Sequence, residues 1–309
     1  MSALSNLLSV FLVIAIGAIL KSSHMIRRET WDGFERVTYL ILFPAMIIST
    51  MATADLGSTP FLSMGATLVV SLLTIAAVLL LFRKILQTYF AVDGASFSSI
   101  FQGAIRWNSF VAFALATSLH GREGATLCAV AIAAMIPLLN FLSVGVITRY
   151  AQEQEMSWSR YGTAIIKNPF IWSCMIGLAL NPAVKWIPAP VFAPITLIGQ
   201  ASLAAGLLAA GAGLELRRIP RIGTPHLIAL TAKLIGMPLF AVAFAQIFRV
   251  SGTAFSVTIL SMAVPTASAS YILARQLGGN APLMAEILTL QTLGAMITIP
   301  LIYGYFILP

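Results

Sequence analysis

Long apolar runs separated by short charged segments dominate the chain. Leu56–Phe82, Gly124–Thr148, Val250–Ala274 and Ile287–Pro309 carry no charge at all. Each is longer than the roughly 20 residues a helix needs to cross a hydrocarbon core. Amides in lipid must bond within their own segment, so such runs are helices. A transmembrane barrel would instead alternate apolar and polar residues over short segments, and no such alternation is present. The pattern predicts ten spans, at 3–20, 34–54, 58–82, 95–119, 124–148, 162–181, 189–214, 225–248, 253–276 and 283–307. The connections are too short to hold an extramembrane domain.

Composition agrees with an all-α integral membrane protein. Of 309 residues, 59% are hydrophobic and 9% charged, against about 25% charged in soluble domains. The net charge of +8 is therefore read as a loop bias and not as a nucleic-acid surface. Lys21, Arg27, Arg28, Arg36, Arg83, Lys84, Arg149, Arg160, Lys167, Arg217, Arg218, Arg221 and Arg275 fall in or beside the odd-numbered loops. The even loops hold only Arg122, Lys185 and Arg249. Basic loops stay cytoplasmic, which predicts a multi-pass membrane protein with both termini outside. The first run begins almost at Met1 with no basic segment before it and no small-residue cleavage site after it. It is expected to be a retained helix, not a signal peptide. Cys128 and Cys174 fall within spans and read as small apolar residues.

A shift of 158 aligns Leu115-Ala116-x-x-Leu119-x-Gly121 with Leu273-Ala274-x-x-Leu277-x-Gly279, and a shift of 160 aligns Gly17–Lys21 with Gly177–Asn181. Spans 1 and 6 then correspond, as do spans 4 and 9. Five spans per half put the second half in the opposite orientation. The expectation is a five-plus-five inverted repeat: residues 1–148, a short cytoplasmic linker at 149–160, and residues 161–309. Secondary transporters are often built this way, with substrate at the midplane between repeats.

Under the same shift two mid-membrane interruptions coincide. Span 4 has Arg106-Trp107-Asn108 at its centre, and span 9 has Val264-Pro265-Thr266. Pro265 lacks an amide proton and clashes with the preceding turn; Thr266, Ser268 and Ser270 stand beside the freed backbone groups. An Arg at the bilayer centre costs at least ~2.5–3.5 kcal/mol and so faces protein or water. Arg106 either caps broken-helix carbonyls, pairs with an acid, or anchors an anion. Helical segments that restart at the midplane aim positive N-terminal ends at the centre, which with Arg106 would make a carboxylate site.

The other polar residues are more ambiguous. Lys233 snorkels or faces the interior. Glu286 pairs with a base or carries a coupling proton. Pro44 is a hinge or part of a pocket wall. Gln102, Asn140 and Gln200 read as interhelical glue, with Asn140 placed away from the interruptions. His226 reads as structural. No phosphate loop, metal-ligand spacing or intramembrane carboxylate pair occurs, so neither an enzyme nor a cofactor is expected.

Leu42-Phe-Pro-Ala-Met46, Arg106-x-Asn108, Lys233-Leu-Ile-Gly-Met-Pro238, Val264-Pro-Thr-Ala-Ser-Ala-Ser-Tyr-Ile-Leu-Ala274, Gly278-Gly-Asn280 and Thr298-Ile-Pro300 follow one another in order. The ordered set resembles the auxin efflux carrier family in its compact bacterial form. The resemblance implies ten helices in which the fourth and ninth are broken and cross at the midplane. It also implies substrate-binding roles for Asn108 and Pro265, and small organic anions such as malonate as substrates. Two departures are visible. The fourth span has no proline, and the linker lacks the long hydrophilic insertion of plant members, which argues against auxin.

These readings converge on a secondary transporter of a small mono- or dicarboxylate working by alternating access. Arg106, Asn108, Pro265, Thr266, Ser268 and Pro44 are the expected substrate contacts, and Lys233 and Glu286 the candidate coupling or charge partners. The coupling ion is left as H⁺ or Na⁺. A homodimer is compatible with the sequence, and nucleic acid is not an expected partner. The alternatives are a carrier of a small neutral solute on the same scaffold, or a ligand-binding membrane sensor.

Overall fold

The apolar runs in the computed structural model are helical over most of their described length, and the described residues, 3–55, 57, 60–152, 168–216 and 222–307, contain no strand. The side chain of Arg28 and most of the expected 149–160 linker lie outside that description.

In chain order the helices are α1 (Ala3–Ser22), α2 (Glu29–Ala52), α3 (Phe61–Phe90) and α4 (Gly94–Ile105). The stretch Ser109–Tyr150 then contains Gly121 at φ 57° and ψ −137°. That left-handed residue divides it into α5 (109–120) and α6 (122–150). A Cβ on Gly124 would collide with the Ala116 carbonyl. Eight residues of straight helix span about 12 Å, so the chain doubles back here. Then come α7 (Pro169–Leu180), α8 (Ala189–Ala212), α9 (Thr224–Ile247), α10 (Gly252–Ala263), α11 (Ser268–Leu277) and α12 (Ala281–Ile307).

Seven helices among the described residues are long and apolar enough to cross a membrane, or eight if α10 and α11, bent by 44° at their junction, count as one span. One of the seven is the 57-residue stretch Gly94–Tyr150, which breaks at 106–108 and reverses at Gly121.

Two prolines leave a local signature. Thr38–Leu42 in α2 and Ala232–Gly236 in α9 are π-helical turns, ending two residues before Pro44 and Pro238 respectively. Proline has no amide to donate, and its ring crowds the carbonyl four residues back. The wider turn relieves that crowding. Pro44 thus shapes α2.

The helices pack as two bodies. In the first, α1 lies against α8, and α2 against α7 and α8. Gly17 and Gly211 make the first contact possible, since a Cβ at either would strike the backbone of the facing helix, at Leu208 or Ile14. We call this group the panel. In the second, α4, α5, α10 and α11 are surrounded by α3, α6, α9 and α12. Each body draws helices from both halves of the chain. Phe43 and Phe170 of the panel meet Phe110 of the other body, with Phe43–Phe110 centroids 4.7 Å apart.

Polar contacts tie the ends of the bundle. At one end Lys21 pairs with Glu215 at 3.2 Å, Asn280 N donates to Ala95 O at 3.2 Å, and the Arg83 guanidinium sits 4.3 Å over the Tyr150 ring. At the other, Asn181 Nδ2 donates to the carbonyls of Met51, Ala52 and Ala54, Asn6 Nδ2 to Ser118 O, and His120 meets Ser256.

Candidate functional site

Two helices stop in mid-bundle and touch. α4 ends at Ile105 and α10 at Ala263, and the next residue of each, Arg106 (ψ 157°) and Val264 (ψ 150°), is extended. Both helices have 12 residues. The shift of 158 carries Gly94 onto Gly252 and Ile105 onto Ala263, so it superposes both ends of both helices.

At the contact, Asn108 N donates to Pro265 O at 2.8 Å. The mirror bond would run from Thr266 N to Trp107 O. Instead Thr266 N donates to Gln291 Oε1 at 3.0 Å. Gln291 Nε2 in turn donates to Gly103 O and Ala229 O, each at 2.9 Å. One fully buried amide of α12 thus satisfies three backbone groups around the crossing.

The first break forms without proline because Asn108 starts the next helix. Its Oδ1 accepts from Phe110 N (3.1 Å) and Val111 N (3.2 Å), the geometry of a strong N-cap. Its Nδ2 has no hydrogen-bond partner among the described residues. α11 starts differently. Ala267 supplies no capping side chain; Ser270 N turns back to Ala267 O at 2.9 Å, and the amides ahead of it, at Ser268 and Ala269, form the uncapped helix N-terminus.

Between the crossing and the panel lies a cavity of about 280 Å³. Its wall takes Arg106, Trp107, Asn108, Ser109 and Phe110 from the first break and Ala267, Ser268, Ala269 and Leu273 from the start of α11. α6 adds Ile136, Leu139, Asn140 and Val144; the panel side adds Glu35, Tyr39, Asn168 and Phe170. The Arg106 guanidinium donates to Asn140 Oδ1 at 3.3 Å. No ion pair holds Arg106 among the described residues. The Ser268 hydroxyl donates to Glu35 Oε1, joining α11 to α2. A larger hollow, about 680 Å³, lies along α8 between Ala189 and Gln200. It is lined mainly by apolar side chains, with Thr196 and Gln200 its polar ones and no charge, so it lacks convergent chemistry.

Of the expected substrate contacts, Arg106, Asn108 and Ser268 share this wall. Pro265 and Thr266 form the crossing but stand outside the wall; the Thr266 hydroxyl is fully buried against Ser270 Oγ at 2.9 Å. Pro44 is also outside it. Lys233 is fully buried with no partner for Nζ among the described residues, and Glu286 binds His226 Nε2 at 2.9 Å; neither reaches the cavity. Asn140 corrects the expectation most clearly, because it sits at the site as the partner of Arg106. Gln102 has no partner at either end of its amide among the described residues, so it is not the interhelical tie expected.

Glu35, Tyr39, Asn168 and Gln291 were missed. The signals existed. Glu35 lies inside the second span with Tyr39 one turn on, Asn168 precedes a proline as a helix cap does, and Gln291 is a lone amide in a span.

Residues 154–303 match the family described as membrane transport protein. The second half of the chain thus carries the match to this membrane transport family, the auxin efflux carrier-like one that the ordered motifs resemble. An uncharacterized transporter of Methanothermobacter thermautotrophicus is 22% identical over 312 residues, covering 97% of each chain. The transporter is multi-pass, and its helix crossing and polar cavity lie deep in the bundle.

Proposed function

We propose that the protein is a secondary transporter that moves a small mono- or dicarboxylate by alternating access. The observation that carries this reading is Arg106: a guanidinium at the helix crossing, held among the described residues by one neutral amide and paired with no acid, in a cavity that also presents Asn108 Nδ2 and the uncapped start of α11. Three kinds of donor converge, and an anion is what they have in common. A volume of about 280 Å³ falls just below the roughly 300–1,000 Å³ of pockets for drug-sized ligands, which favours a small solute. Loss of accelerated exchange would sink the carrier reading. Proteoliposomes loaded with malonate, or with another carboxylate found by thermal-shift screening, are expected to show counterflow; a sensor gives none and a channel no trans-stimulation.

The scaffold we infer is ten spans in a five-plus-five inverted repeat, 1–148 and 161–309, joined by 149–160. The coincident ends of α4 and α10, the reversal at Gly121 and the sorting of end contacts support it. Residues 21, 95, 215 and 280 lie in contacts at one end, and 6, 54, 118 and 181 at the other. The first group belongs to the basic loops. The basic end is taken as cytoplasmic in a bacterial inner membrane, with both termini outside. The cavity wall uses the beginning of α2, the later half of α6 and the α11 segment that leads to Gly278, so it lies on that same side of the crossing. An impermeant thiol reagent added outside is expected to label cysteines introduced at Gly57 and Pro188, and not those at Ser159 and Thr224. Native Cys128 and Cys174 are buried and give little background. Reversed labelling would invert the orientation.

The cavity lies where panel and crossing body meet. Displacing one body against the other would open it to each face in turn without dismantling the crossing.

A further inference from the structure

We propose that Glu35 takes up the proton that accompanies anion binding, so that transport is proton-coupled at this carboxylate. The inference rests on the anion reading of the same cavity and assigns its coupling ion.

Glu35 and Arg106 line one small cavity, yet no salt bridge joins them. Glu35 is held by the neutral Ser268 hydroxyl. The charges that act on it are Asp32 on its own helix and Lys21 at the end of α1, and Lys21 is already engaged by Glu215. Arg36 lies next to it in sequence and is exposed. α8, packed against α2, has no titratable residue between 189 and 212. α11 carries Tyr271 and Arg275, and α6 carries Arg122, Glu123, Cys128, Arg149 and Tyr150, none of them in the wall; Tyr39 is the remaining titratable group there. α7 offers only Cys174, buried near Ala129 O.

An ionised Glu35, with no cation paired to it among the described residues, therefore repels an incoming carboxylate. Arg106 can neutralise one negative charge; ionised Glu35 and a monocarboxylate bring two, and ionised Glu35 with doubly ionised malonate three. Taking a proton from the aqueous side onto Glu35 removes one of these charges and leaves Arg106 to the substrate. No other bond is made or broken. The proton also changes what Glu35 can do, because a carboxylic acid donates a hydrogen bond where the carboxylate only accepts. The Ser268–Glu35 tie joins panel to crossing body, so the protonation that admits the anion also alters the contact between the two bodies. Glu286, held by His226, and Lys233, walled off from the cavity, are not placed to do this.

The test is titration calorimetry of the purified transporter with malonate, at a pH where malonate is fully ionised, in buffers of different ionisation enthalpy. Wild type is expected to take up about one proton per anion, with affinity falling about tenfold per pH unit once Glu35 is ionised. Glu35→Gln is expected to bind malonate with buffer-independent heat and pH-independent affinity. Buffer-independent heat in wild type would overturn the inference without needing the variant to fold. Proton uptake that persists in Glu35→Gln would overturn it too. Binding without proton uptake leaves the anion reading standing, whereas no binding of malonate, succinate or lactate to wild type removes that reading and this inference together.

Discussion

Arg106→Gln is expected to weaken carboxylate binding by roughly 30- to 5,000-fold while the protein still folds. Truncating one partner of a buried, hydrogen-bonded charge pair costs about 2–5 kcal/mol, which converts to that range. Folding should survive because the guanidinium makes a single 3.3 Å bond to Asn140 and Gln can reach toward the same amide. Binding is read by calorimetry and folding by the melting temperature of the purified variant. Normal binding would make Arg106 a structural cap. A collapsed melting temperature with unchanged affinity in the folded fraction would say the same. Asn140→Ala is not a neutral comparison here, since it removes the one partner that orients Arg106; Gln200, on the far side of α8, is the better control.

The second large effect falls on stability. Gln291→Leu preserves approximate volume but leaves Gly103 O, Ala229 O and Thr266 N without their partner. A buried polar group left unsatisfied costs about 1–3 kcal/mol, and all three lie where the side chain of Gln291 is fully buried. The summed loss is an upper bound, because these bonds share one side chain and neighbours relax. The expected result is a clearly lowered melting temperature, with carboxylate affinity in the surviving folded protein changed far less than by Arg106→Gln. A melting temperature equal to wild type would show that the crossing holds itself together without α12.

The two predictions separate what was legible in the sequence from what was not. The 158 shift rests on scattered Leu, Ala and Gly matches, yet it superposes both ends of α4 on both ends of α10. Backbone interruptions leave a mark in sequence because they need particular residues: an amide that caps, a proline that cannot donate. Arg106 was legible because a charge in an apolar run has no cheap explanation. Asn140 and Gln291 were not, because a lone amide reveals nothing about which way its helix is turned, and their partners lie 34 and 25 to 188 residues away. Glu35 was hidden for another reason. It lies inside the predicted span 34–54 but one residue from its start, where a charge reads as belonging to the span end, whereas the helix begins at Glu29 and carries Glu35 more than a turn inside it. Pro44 marked a real irregularity, a π-turn in α2, and not the wall of the site.

The two halves of the crossing match in backbone but not in charge. Where the first has Arg106, the second has Val264, fully buried and neutral. In the proposed cycle Arg106 travels with the crossing body and Glu35 stays with the panel. Empty, the moving body takes an uncancelled positive charge from Arg106 through the membrane field; loaded with a monocarboxylate, it does not. An elementary charge crossing the full field is worth about 2.3 kcal/mol per 100 mV. The membrane voltage would therefore act on the return of the empty carrier and leave the loaded step nearly untouched, so an interior-negative cell holds the vacant site facing inward.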